Sequence, residues 1–513
     1  MSRRSELSCV LFGVAQLLHS YASWQRYDGP LGLETALTPV SLLLALVLVW
    51  RPHGVWLVGL ALSSGLEVLS LMPHVRGHHY VLGFVDLAIM SAFAQVALRE
   101  RAWHVDIDRL VDSLTPLVLI VLCATFFFAG FSKLNTLHFT DASEADGLAR
   151  LFFALWAIPH ADWMVLPFRL GGPLELLIVG LVAMRRTRHW GMLLAALMLL
   201  LFALSGPIQH AIILYACMIP CLDERFVERL CFPRQLGGER TKAAQKLLVC
   251  AIILLPKPRI FAHVALADGR TSVAFDYVLA VGALVYVCIA LWILGRAIRG
   301  LRPRSAAFAR IDWRRPSTIV VAGSLLTTIV VLEAGVYVGY RTRPRIAMFS
   351  NLGSKCTIAN HYLWPSALAG SRFRLASDLV IVDGHTMRRL HPLRSVRADR
   401  HYYFSRADLP HALRYREKWK FRPFFHIDPW RQGDPVPRSG RLEEARYHDE
   451  LTRLSYFING SWTVVEDDEL RTMPEPGLLD TLRYKLFYQA HDMVGGPTLG
   501  CAPTHTLPRL PMR

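Results

Sequence analysis

The sequence predicts a mainly α-helical, polytopic membrane bundle of about nine to eleven spans, followed by a C-terminal α+β or β-rich extracytoplasmic domain. Three observations carry that expectation. The 513 residues are 53% hydrophobic, and their mean hydropathy is positive. Apolar runs approaching bilayer thickness recur from residue 6 to residue 340, separated by short arginine-bearing loops. From about Arg341 the chain turns polar, mixed and rich in proline and arginine.

Taken in order, Ser2-Arg3-Arg4 and the apolar run to about Tyr21 have the outline of a signal peptide. No small-residue cleavage site follows and more spans come after, so a retained first helix is expected. The apolar runs cover 6–22, 36–50, 55–73, 80–98, 113–133, 172–184, 190–205, 208–221, 246–263, 273–295 and 317–340. Several are short or broken, as at Ser205-Gly206-Pro207. Broken spans persist in lipid only where protein or a cavity satisfies the freed backbone groups.

Arginines mark alternate loops. One set holds Arg3 and Arg4, Arg51, Arg99 and Arg101, then Arg185, Arg186 and Arg188, then Arg225, Arg229 and Arg240, and finally the run from Arg296 to Arg315. The opposite loops carry isolated cations such as Arg26, Arg76 and Arg270. The positive-inside rule puts the first set in the cytoplasm, with the C-terminal domain outside. The expected division is residues 1–225, a first transmembrane domain; 226–340, further spans and cytoplasmic loops; and 341–513, the exterior domain.

In that last part Asp378-Leu379-Val380-Ile381-Val382-Asp383 reads as a strand, Ser461 to Val465 as another, and Gly477 to Gln489 as a helix. Its cysteines are Cys356 and Cys501, whose pairing two residues alone leave open. Asn459-Gly460-Ser461 matches a glycosylation acceptor. The net charge of +17 sits in loops and in the C-terminal third, not on one periodic face, so nucleic acid is not an expected partner. Nine cysteines without a CxxC indicate no zinc or redox motif. Nor is there an HxxxH on a helix, and the adjacent His78 and His79 would diverge, so no metal is expected.

Ionisable groups at membrane depth are costly and therefore candidates for function. They are Glu67, His79, Asp86, Lys133, Glu175, His210 and Glu333. Lys133 closes an apolar run behind Phe126, Phe127, Phe128 and Phe131, and Gly130 leaves room for close backbone approach. Apolar surroundings disfavour the charged amine and would make it a general base without a metal. The alternative is a lysine that snorkels to the headgroups and does no chemistry. Asp86 follows His79 by seven positions, two helical turns along one face, which suits a polar pocket or a proton relay.

These residues carry a resemblance. Ala129-Gly130-Phe131-Ser132-Lys133-Leu134-Asn135 resembles the Ala-Gly-x-x-Lys-Leu-Asp/Asn signature of the vitamin K-dependent gamma-carboxylase membrane domain, shared by bacterial homologues in the horizontally transferred transmembrane domain family. His78-His79-Tyr80-Val81-Leu82 is similar to that family's Asn-His-x-x-Leu stretch, and Gly171-Gly172-Pro173-Leu174-Glu175 to its glycine-rich, acid-containing helix start. The resemblance spans roughly residues 6–225. It departs at His78, where the family has asparagine, and in Met192 to Ser205, which lacks the histidine and asparagine of the animal enzyme.

The resemblance implies Lys133 as catalytic base and His79 as its helper. Asp86, Phe128, Phe131 and Glu175 are then expected to hold reduced vitamin K, a naphthoquinol entering from the lipid. The implied chemistry is quinol oxygenation and epoxidation, coupled in the full enzyme to carboxylation of a glutamate on an extracytoplasmic protein. The other class of function is a non-enzymatic membrane module that binds lipid or quinone and anchors the exterior domain.

Overall fold

The computed structural model describes residues 1–24, 33–71, 77–103, 105–134, 166–204, 208–230, 308–309, 311, 313 and 315–337, together with five strands between residues 379 and 492. The helices are α1 (Arg3–Trp24), α2 (Leu33–Trp50), α3 (Gly54–Leu71), α4 (Gly77–Glu100), α5 (Ile107–Ser132), α6 (Gly171–Ala183), α7 (Arg188–Leu204), α8 (Ile208–Met218), α9 (Glu224–Leu230) and α10 (Pro316–Tyr337). A single turn, Leu166–Arg169, precedes α6, and a 3₁₀ turn, Ile219–Cys221, extends α8. Nine of these coincide with apolar runs read from the sequence. The runs at 246–263 and 273–295, the helix expected from Gly477, and Cys356 and Cys501 lie outside the described residues.

Among the described residues, α4, α5 and α10 are long and apolar enough to cross a membrane, while α2, α3, α6, α7 and α8 contain shorter apolar segments. Their faces are inverted relative to a water-soluble protein. Leu43, Leu46, Leu62, Leu69, Leu87, Leu177, Ile319, Val320 and Val331 are exposed, whereas Gln16, Glu67, Asp86, Lys133, Glu175 and Glu333 are buried. Apolar surface on that scale marks a partner or a membrane.

Helices consecutive in sequence pack side by side from α1 to α8, α8 returns to α1, and α10 lies against α5 and α4. The apolar stretch of α5 is 78% buried and that of α10 only 28%, so α5 is the interior post and α10 a peripheral helix. Leu110, Leu114, Leu117 and Leu122 of α5 are among the largest fully buried side chains. Pro116 is accommodated inside α5, beside Thr115, whose hydroxyl bridges the Val111 and Pro220 carbonyls at 2.9 Å each.

Contacts at one end fix the direction of each helix. The Ser2 amide donates to Asp108 at 2.9 Å, and the Arg3 and Arg4 amides donate to the Glu224 carboxylate at 2.6 and 3.1 Å. Arg4 pairs with Asp112. The Gln95 amide reaches Ser317 at 3.0 Å, and the Ala309 amide reaches the Cys221 carbonyl at 3.1 Å. This end gathers the starts of α1, α5, α9 and α10 and the ends of α4 and α8. By alternation it also receives the α2–α3 and α6–α7 turns, with Arg51, Arg185, Arg186 and Arg188. The arginine asymmetry of the sequence is therefore a property of one end of the bundle. Arg101 sits there at φ 50°, closing α4 with an Ala102-to-Ala97 hydrogen bond of 3.3 Å in the manner of a Schellman cap.

In the C-terminal third, β1 (Leu379–Asp383), β2 (His401–Ser405), β3 (Arg453–Ile458), β4 (Ser461–Glu466) and β5 (Ala490–Asp492) form one antiparallel sheet of order β4-β3-β1-β2-β5. β1 and β4 are the two strands expected from sequence. β3 pairs with β4 from Arg453↔Glu466 to Ile458↔Ser461.

Candidate functional site

All seven ionisable residues singled out from the sequence lie in the same half of the bundle, away from the arginine-rich end. Glu67 is near the end of α3, His79 and Asp86 in the first turns of α4, and Lys133 just past α5; Glu175 and His210 are near the starts of α6 and α8, and Glu333 is near the end of α10. Each is buried. The strict alternation of helices brings them there. Residues that are distant in sequence share a level because each lies close to a turn on that side.

Lys133 is the C-cap of α5, and its amide tightens the last turn onto Gly130 and Phe131. The residue is 4% exposed. Its Nζ donates to both carboxylate oxygens of Glu175, at 2.5 and 2.6 Å. The sequence reading gave the amine apolar surroundings; the structure corrects this by setting a carboxylate against it. Glu175 is 1% exposed and has no other hydrogen-bond partner among the described residues. Each helix end suits the charge it carries, a cation at the C-terminus of α5 and an anion in the first turns of α6.

Two glycines make that approach possible. A methyl group at Gly130 would lie 2.8 Å from the Gly172 carbonyl and 2.9 Å from Glu175 Cβ, and one at Gly172 would lie 2.9 Å from Lys133 Cβ. Backbone contact between α5 and α6 thus sets the depth at which the charges meet. The role read for Gly130 from sequence is the one it plays, with Gly172 as its counterpart.

The aromatic residue over the amine is Phe202 of α7, whose ring centroid lies 5.8 Å from Nζ, within cation–π range. Phe128 is buried, but Phe131 stacks on the partly exposed Phe127 at 5.5 Å and 10°. The Phe127–Phe131 pair therefore borders the exterior. The ring of His210 of α8 lies 6.3 Å, between centroids, from that of Phe202. Its Nδ1 is buried with no hydrogen-bond partner among the described residues, a condition that costs about 1–3 kcal/mol.

His79 belongs to a second constellation. Its ring meets that of His19 of α1 at 5.1 Å and that of His78 at 4.5 Å. His78 also meets His19, at 5.2 Å. The expected divergence of the two adjacent histidines does not occur, because the long side chains at the start of α4 both reach His19. Among the described residues no group of three or more His, Cys, Asp or Glu could hold a metal ion.

Asp86 lies on the same side of α4, bonded to Ser64 of α3 at 2.6 Å. Ser64 is 3.0 Å from the Gln16 carbonyl oxygen, and the Gln16 amide donates to Ser20 at 2.9 Å. Ser20 and Thr38 reach Glu67 at 3.5 and 3.0 Å. A hydroxyl has one hydrogen to give. Ser64 therefore donates to Asp86 or to Gln16, and not fully to both at once. Glu67 at the other end accepts. A chain of neutral hydroxyl and amide groups thus joins the two carboxyls.

Sequence reasoning missed Gln16, His19, Ser64 and Phe202. Helical spacing was the available signal for the first two, since Gln16, His19 and Ser20 fall on one face of α1. Phe202 and His210 flank the break at Ser205-Gly206-Pro207, where a site in a broken span is most easily built. No protein-family model, curated protein or solved structure matches the chain.

Proposed function

We propose that the chain is an integral protein of the cell membrane in which the Lys133–Glu175 pair is a proton-transfer site for a membrane quinol. The N-terminus is cytoplasmic, and the site and the C-terminal part face the extracytoplasmic side. What carries the reading is the pair itself, a lysine and a glutamate held together at bilayer depth under an aromatic ring. The arginine-rich opposite end supports the orientation, and the exposed leucines and valines support the membrane.

The donor set suits a phenolic hydroxyl. The pair starts as ammonium and carboxylate. A hydroxyl at Nζ gives up its proton, Glu175 ends as the protonated acid, and the resulting phenolate lies against the ammonium. Charge is conserved at each stage, and the base is the pair rather than a lone neutral amine. Phe202 offers a face for the ligand ring. Burial keeps water from competing for the proton. A bound naphthoquinol would supply the reducing equivalents for reaction with oxygen to an epoxide, and the resemblance to gamma-carboxylase adds carboxylation of a glutamate as the coupled step.

A second reading has its own observation. The bidentate pair and the Gly130–Gly172 contact also make a good clamp between α5 and α6. On that reading the bundle is a non-enzymatic anchor that binds lipid or quinone. Purified protein incubated with reduced vitamin K and oxygen separates the two. The proposed function requires epoxide from wild type and none from folded Lys133→Ala. No epoxide from folded wild type leaves the anchor.

A further inference from the structure

We infer that the imidazole of His210, rather than that of His79, completes the Lys133 site, its Nδ1 hydrogen-bonding a polar group of an aromatic ligand that lies on Phe202. The inference deepens the proposed quinol reading and rests on it.

Three observations converge on His210. Its Nδ1 is buried without a hydrogen-bond partner among the described residues. Its ring is 6.3 Å from that of Phe202, whose own centroid is 5.8 Å from Lys133 Nζ. And it sits at the start of α8, across the Ser205-Gly206-Pro207 break from Phe202 at the end of α7.

Phe202 thus has two polar groups near its ring, the Lys133–Glu175 pair and the His210 nitrogen. Buried polar groups are rarely left unpaired unless a ligand supplies the partner. The ligand class that fits is a ring with two oxygen functions. One oxygen meets the amine and its carboxylate, and the other accepts from or donates to Nδ1 according to tautomer. A quinol has that pattern. His210 is a positioning residue here, and the proton moves at Lys133 and Glu175.

A histidine that merely fills space and one that awaits a ligand respond oppositely to His210→Phe. The phenyl ring keeps most of the volume and removes the unpaired nitrogen. The unliganded protein should then melt at the wild-type temperature or above it, while ligand affinity falls. The probe is menadiol, a reduced naphthoquinol without a tail, titrated anaerobically into full-length protein in lipid nanodiscs and followed by quenching of tryptophan fluorescence.

Loss of one hydrogen bond predicts about tenfold weaker binding for His210→Phe. His210→Asn, whose amide reaches the Nδ1 position, should recover part of that loss. A lower melting temperature with unchanged affinity assigns His210 to packing and overturns the inference. If Lys133→Ala abolishes binding while His210→Phe binds as wild type does, the quinol reading stands and the inference fails. Wild type that does not bind menadiol overturns both.

Discussion

Removing either partner of the Lys133–Glu175 pair should cost more than removing both. The side chains are 5% and 1% exposed, so Lys133→Met leaves the Glu175 carboxyl buried with no other partner among the described residues, and Glu175→Leu leaves the amine buried against an apolar group. Two charge-assisted hydrogen bonds of 2.5 and 2.6 Å are lost or weakened, at about 1.5–3 kcal/mol each. Breaking one side of a buried pair costs about 3–5 kcal/mol in general, and the two estimates agree. The double variant Lys133→Met with Glu175→Leu places apolar groups of similar size together and should recover most of the loss, since an apolar replacement of a buried pair is often neutral or better. Equilibrium unfolding in mixed detergent micelles, followed by circular dichroism, gives the four stabilities of the cycle. Two single losses of about 3–5 kcal/mol each against a small loss in the double give an expected coupling of about 5 kcal/mol or more. Single losses below about 1 kcal/mol that simply add are the mark of an exposed pair and would refute the buried bidentate geometry.

Two further outcomes follow from neighbouring contacts and use the same unfolding assay. Gly130→Ala and Gly172→Ala each force a methyl group to within 2.9 Å of the facing helix and should destabilise by about 1–3 kcal/mol. Gly180→Ala on the same helix, with nothing within 4 Å of the added carbon, should be neutral or stabilising, and equal effects at all three positions would contradict close α5–α6 packing. In the second polar network, Asp86→Asn keeps a donor toward Ser64 and should cost under about 1 kcal/mol, whereas Asp86→Ala strands the chain through Gln16 and should cost about 1–3 kcal/mol. An asparagine as damaging as the alanine would show that Ser64 requires the carboxylate itself and not a neutral partner.

Much of this was legible in the residues. Apolar runs located nine of the described helices because lipid-facing and core-facing positions are both apolar, which leaves continuous stretches that hydropathy detects directly. Arginine placement ordered the two ends of the bundle because loops at one end carry nearly all the cations. The search for charge at membrane depth found Lys133, Glu175, Asp86 and His79 for the same reason, that such residues are rare where burial is costly.

What the residues did not disclose is who meets whom. Lys133 and Glu175 are separated by 42 positions, and their meeting depends on the relative depth and rotation of α5 and α6, which the Gly130–Gly172 contact sets. The same holds for His19 against His78 and His79, and for Phe202 near both Lys133 and His210. Periodicity records the polarity of each helix face taken alone. Which faces oppose one another, and at what level, is decided by ridges and small residues on two helices at once. The sequence by itself therefore determined the helices, their alternation and the inventory of buried charge, and the tertiary structure alone decided that the lysine is paired with Glu175 and lies near the Phe202 ring.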